Sequence, residues 1–194
     1  MANLSFLYIN GGFKVLYTVA LMEILRVTYG LNPDELQVAE AFMLFPWDFK
    51  ILYGIICDTL SLPRFEKAPK RGYIILFSII QFVCLFLSGA FVFEKSVTLI
   101  NMFFISSLSG AFMDVVIDGI TCAQQRRDPE RGAQDLQTLA WFSQSVGAIS
   151  ASIIGGYIVD YSEARYCFYL YAMISLGVAI TAYWMSQDLE ETSH

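Results

Sequence analysis

The chain has 194 residues, of which 56% are hydrophobic, 15% aromatic and 15% charged, with a formal net charge of -6. That is more apolar surface than a soluble core of this size buries, so the composition assigns the chain to a bilayer and excludes a soluble globular domain. The negative balance comes from helix ends, short loops and a tail holding Asp188, Glu190 and Glu191; without a basic stripe of exposed aromatics, nucleic-acid binding is excluded as well.

Six apolar segments follow in chain order, over residues 4–29, 36–60, 73–93, 97–123, 136–159 and 166–187. Each is long enough for a helix that crosses about 30 Å of hydrocarbon. The third, fifth and sixth carry no Asp, Glu, Lys or Arg, the fourth carries only Asp114 and Asp118, and the first two are interrupted by several charges. Runs such as 74–77 and 102–105 do not alternate in polarity, which argues against a β-barrel. The expected fold is an all-α membrane protein: six transmembrane helices forming a single domain over residues 1–194.

Connections between the segments are short. Asn32 and Pro33 with Asp34 and Glu35 mark one helix start, and Asp128, Pro129 and Gly132 break the chain before the fifth segment. The second and fourth loops hold Arg64, Lys67, Lys70, Arg71, Arg126, Arg127 and Arg131, whereas the other three hold only Lys95 and Arg165. That bias places both termini on the cytoplasmic or matrix side. Residues 1–5 lack a positive region and Lys14 interrupts the first apolar run, so no secretory signal is expected.

Charges inside the spans need a partner, water or a shared proton. In the first span Glu23 and Arg26 lie three apart and are expected to pair; Lys14 lies deeper. In the second, Lys50, Gly54 and Asp58 fall at i, i+4 and i+8, a polar and small stripe on an apolar rod. Lys50 is open to three roles: neutralising an anionic solute, pairing with Asp114, or bridging to Asp48 as a snorkelling amine. Asp114 and Asp118 share one face of the fourth helix. With Lys50 they are candidates for a solute or proton site; the alternative is a helix-end pair that reaches Arg126 and Arg127.

The fifth span repeats Ser143, Gly147, Ala151 and Gly155 every four residues, a face that lets a helix approach closely. A stripe this long is expected to meet a helix outside the six-helix unit. Cys57, Cys84, Cys122 and Cys167 are scattered over four spans and read as buried packing rather than metal or disulfide chemistry. One histidine, His194, no nucleophile elbow and no phosphate-binding glycine loop leave no catalytic residues, metal site or cofactor to assign, so an enzyme is not expected.

Three motifs in order carry a resemblance. They are Pro46-Trp-Asp-Phe-Lys-Ile-Leu-Tyr-Gly54 followed by Asp58 and Lys70-Arg71-Gly72-Tyr73, then Asp114-Val-Val-Ile-Asp118, then Leu136-Gln-Thr-Leu-Ala-Trp141. Together they resemble the folate-biopterin transporter family of the major facilitator superfamily, over nearly the whole chain but only the first six of twelve helices. The resemblance implies the N-terminal half of such a transporter and a folate, a pterin or a related solute. It further implies that Lys50, Asp114 and Asp118 face the central cavity or its cytoplasmic mouth, and that Gly54, Asp58, Lys70 and Arg71 belong to a gating loop.

Three positions depart from the family pattern: Ile51 stands in place of a proline, Phe142 of a glycine and Ala123 of a glutamate. Alternating access needs two bodies, so a lone six-helix body is expected to lack autonomous transport. Two readings follow. The chain is an accessory subunit of a larger membrane complex, or it is a working folate or pterin carrier assembled as a homodimer or with a separate C-terminal half. Either way the expected partners are the lipid bilayer, other membrane chains covering the second and fifth helices, and a possible folate-like or pterin-like solute. An organelle inner membrane is preferred over the plasma membrane as the location.

Overall fold

The protein is described from a computed structural model that covers residues 2–60, 69–126 and 131–184. Helices make up the fold: α1 (Ala2–Val27), α2 (Pro33–Leu44), a 3₁₀ turn (Phe45–Phe49), α3 (Lys50–Thr59), α4 (Pro69–Ala90), α5 (Ser96–Gln125), α6 (Gly132–Tyr161) and α7 (Tyr166–Trp184). No strand occurs among the described residues. Five helices, α1 and α4 to α7, are long and apolar enough to cross a membrane. The chain is therefore a multi-pass membrane protein by its helices. Arg64, Lys67 and Arg127, the acidic tail, His194 and the end of the sixth predicted span lie outside the described residues.

The second predicted span differs from expectation. Residues 36–60 are not one helix but α2 and α3 joined by the 3₁₀ turn. Pro46, inside that turn, has no N–H to donate back to Phe42 and its ring crowds the preceding turn, so the α-helical ladder cannot run through it. The start of α2 is fixed locally: the Asn32 backbone N–H donates to Glu35 Oε2 at 2.8 Å, with Pro33 at the first helical position. The preceding helix, α1, stops at Gly30, whose φ of 67° requires glycine, and the Leu31 N–H returns to the Leu25 carbonyl at 3.1 Å.

The small face of α6 is filled from within. Ser143, Gly147, Ala151 and Gly155 are all buried, and α1 lies along them. A Cβ on Gly147 would collide with the Ile9 carbonyl, one on Gly12 with the Gln144 carbonyl, and one on Gly155 would press on Leu16 at 3.2 Å. The expectation that this stripe meets a helix outside the unit is corrected: glycines on both helices let α1 and α6 approach backbone to backbone. The outward face of α6 instead carries Ile149, Ile153 and Tyr157, all exposed, and α3 exposes Ile51, Leu52 and Ile55.

Two apolar clusters hold the bundle. At one end Phe112 of α5 stacks on Phe77 of α4 with ring centroids 4.2 Å apart and on Tyr53 of α3 at 5.4 Å, with Tyr73 at 5.2 Å. At the other, Tyr17, Phe103, Phe168 and Tyr171 join α1, α5 and α7, with neighbouring centroids 4.8 to 5.4 Å apart. Buried polar groups between them are cross-linked: Ser175 Oγ lies 3.0 Å from both Gln81 Oε1 and the Ser78 carbonyl, and Gln81 Nε2 donates to the Ser106 carbonyl at 3.3 Å. Of the cysteines, Cys57, Cys84 and Cys167 are buried as expected, whereas Cys122 is exposed.

Candidate functional site

A cavity opens where the two clusters meet, its polar lining supplied by Asn10, Lys14, Trp47, Ser106, Asp114 and Gln144 among others. Its positions on α1 and α5 are set by helical spacing: Asn10 and Lys14 lie four apart, as do Ser106, Gly110 and Asp114, so each helix turns one polar stripe to the same space. Gly110 keeps that space open, because a Cβ there would sit 3.5 Å from Gln81 Nε2 and 3.9 Å from the Trp47 ring. The cavity holds about 30 Å³. That is room for water-sized groups, not for a bicyclic ring, so a larger solute has to occupy the open side in front of it.

Trp47 is the centre of the arrangement. It projects from the 3₁₀ turn, its indole Nε1 donates to Ser107 Oγ at 3.0 Å, and two ammonium groups lie over its ring, Lys14 at 4.0 Å and Lys50 at 4.7 Å from the centroid. The break at Pro46 is what brings the indole and the amine, three residues apart, to the same point. Lys50 is bonded to Asp114 Oδ2. Of the roles open to Lys50, the structure shows the pair with Asp114 and not the one with Asp48.

Asp118 lies elsewhere. It is exposed, does not line the cavity, and accepts a bond from the Tyr8 hydroxyl at 3.3 Å, while the same hydroxyl lies 2.8 Å from Thr121 Oγ1. The two aspartates therefore share a helix face but not a hydrogen-bond partner. Glu23 and Arg26 pair as expected, Arg26 Nη2 donating to Glu23 Oε2 at 3.0 Å.

The four residues assigned to a gating loop lie on α3 and in the first turn of α4. Gly54 faces Val115 of α5, a Cβ there meeting its Cγ1 at 3.7 Å, and Asp58 is exposed. Lys70 reaches over Gly119, where a Cβ would lie 3.6 Å from its Nζ, and the Arg71 guanidinium sits 5.2 Å from the centre of the Tyr183 ring. The connection itself, residues 61–68, lies outside the described residues. Of the three departing positions, Ile51 and Phe142 are exposed and Ala123 is buried, and none lines the cavity.

Sequence reasoning missed Lys14 and Trp47 as site residues. The available signal was the polar and small stripe Asn10, Gly11, Lys14 on the first span, which matches the spacing of Ser106, Gly110 and Asp114 on the fourth.

Comparison with known proteins places the chain in a family. Residues 11–193 match the BT1 family. The chain is 28% identical over 170 residues to a probable folate-biopterin transporter 4 of Arabidopsis thaliana, covering 87% of this chain and 34% of that protein. It is 25% identical over 187 residues to a folate-biopterin transporter of Synechocystis, covering 96% of this chain and 37% of that one. A probable folate-biopterin transporter 2 of Arabidopsis thaliana is 33% identical over 130 residues, 66% of this chain and 25% of its own length. The chain thus spans about a third of the curated relatives it matches, whose names are those of transporters and not of enzymes. No solved structure matches it. With the family matched over nearly all of its length, the chain belongs to the BT1 family.

Proposed function

We propose that this chain forms one wall of a solute pathway of the folate-biopterin type, and that a second helical body closes the pathway over it. The observation that carries the reading is the cluster of Lys14, Trp47, Lys50 and Asp114 around one cavity between α1, α5 and the 3₁₀ turn. Four polar or ionic groups at this position cost several kcal/mol on insertion scales, which a purely structural half-bundle has no reason to bear. The outward apolar faces of α3 and α6 suit the second body or lipid, and six crossings, with α2, the turn and α3 as the second, put both termini on the basic side.

The accessory-subunit reading, in which transport is lost, draws its support from Ile51, Phe142 and Ala123. Because those side chains leave the cavity untouched, they do not by themselves disable it. The test is uptake of labelled folic acid and biopterin into vesicles carrying the chain in its native assembly, with Asp114→Asn as the control. Uptake abolished by that substitution supports the pathway; an assembly that carries neither solute overturns it in favour of the accessory role.

A further inference from the structure

The two lysines over Trp47 are not equivalent. Lys50 has Asp114 as counter-ion, whereas Lys14 makes no ion pair among the described residues. An ammonium held among helices without a counter-ion is costly. Beside it are two more unanswered groups: Asn10 Oδ1 and Ser106 Oγ are buried with no hydrogen-bond partner, on residues that are 5% and 0% exposed. Both residues line the same cavity as Lys14. Asn10 is one helical turn from Lys14 on α1, and so on its face.

Two of these groups, the Lys14 ammonium and the Ser106 hydroxyl, donate and so call for an acceptor, whereas Asn10 Oδ1 calls for a donor next to it. The cavity's 30 Å³ is space on the scale of one or two waters, which a small polar group can fill from the open side. Charge selects the sign: Lys14 and Lys50 face a single carboxylate that lines the cavity, Asp114.

We propose that Lys14, Ser106 and Asn10 form a subsite for a carboxylate-type anionic group. The anion rests on the Lys14 ammonium at the edge of the Trp47 indole, the Ser106 hydroxyl donates to it, and Asn10 Oδ1 accepts an N–H or O–H that lies beside it. Lys50, by contrast, is a positioning residue that fixes Asp114. This inference rests on the cavity opening to the solute pathway proposed above. The anion is either a carboxylate of the carried solute or a free small anion, and the chemistry recognised is the same.

The test uses Trp47 as reporter, in the full chain in lipid nanodiscs with Trp141→Phe and Trp184→Phe removing the other two indoles. Sodium acetate is the small-anion probe; folic acid, which has carboxylates, and biopterin, which has none, are the solute probes. In the reporter background, a saturable acetate response of the Trp47 emission is expected, lost in Lys14→Gln and kept in Lys14→Arg. Folic acid binding is expected to weaken roughly tenfold or more in Lys14→Gln, as for a truncated desolvated charge pair, while biopterin binding stays in place. A lost acetate response with unchanged folic acid binding assigns the subsite to a free anion. Unchanged binding of all three probes overturns the proposal, as does an equal fall for folic acid and biopterin without any acetate response, which marks a packing role. If the parent protein binds neither pteridine, the proposed function fails, and the acetate response still decides the subsite.

Discussion

Replacing Gly147 by alanine tests the seam between α1 and α6 directly. The added methyl collides with the Ile9 carbonyl, and backbone in the middle of a helix cannot step aside as a side-chain tip can. Overpacking of this kind costs about 3 kcal/mol at the upper end of its range, and the helix-propensity gain of alanine over glycine returns about 1 kcal/mol, which leaves a net loss of about 2 kcal/mol. At roughly 2–4 °C per kcal/mol for a chain of this length, the thermal midpoint in detergent is expected to fall by about 4–8 °C. Gly156, one position on from Gly155, is the control: a Cβ there meets nothing within 4 Å, so Gly156→Ala keeps only the propensity gain and raises the midpoint by about 2–4 °C. Differential scanning fluorimetry on the two purified variants checks both signs. If Gly147→Ala is as benign as Gly156→Ala, α1 does not lie on that face, and the small-residue stripe is free to meet a helix from outside.

Three further predictions follow from the packing and the ion pair. Phe112→Ala removes the shared partner of Tyr53, Tyr73 and Phe77 from a site only 4% exposed, and should cost about 3–5 kcal/mol, read as a midpoint drop or loss of monodisperse protein. Lys50→Met leaves Asp114 without its cation; with side-chain exposures of 37% and 25% for the two partners, the cost is discounted for screening to about 1–2 kcal/mol, and Lys50→Met with Asp114→Leu should be more stable than Lys50→Met alone. Tyr8→Phe deletes the hydroxyl shared by Thr121 and Asp118 and should cost about 1 kcal/mol, read as a lower thermal midpoint.

Apolar run length made most of the helices legible in the sequence, because a bilayer-spanning helix has to be written as one long uncharged stretch. Pro46 was equally visible, yet the apolar residues on both sides hid the break, since hydropathy is blind to whether a backbone ladder is continuous. The Lys50–Asp114 pair was among the partners that residue chemistry allowed, and only the tertiary arrangement could choose it over Asp48. The α6 stripe was read outward because a small face states that something comes close without stating what; its complement, Gly11 and Gly12 on the first span, was present but lay more than a hundred positions away. Lys14 is hidden in the sequence for the same reason: its ring partner comes from a different element, and a lone amine in an apolar run looks like any other snorkelling side chain.

The kinked second crossing has a mechanical corollary. Two short rods meet at a corner, and that corner bears the indole on which both amines rest, with Lys50 opening the rod beyond it. Any swing of one rod against the other must therefore slide the aromatic platform and tug on the Asp114 contact in a single movement, so the chain's shape at residue 46 and the charge arrangement of its interior cannot change independently.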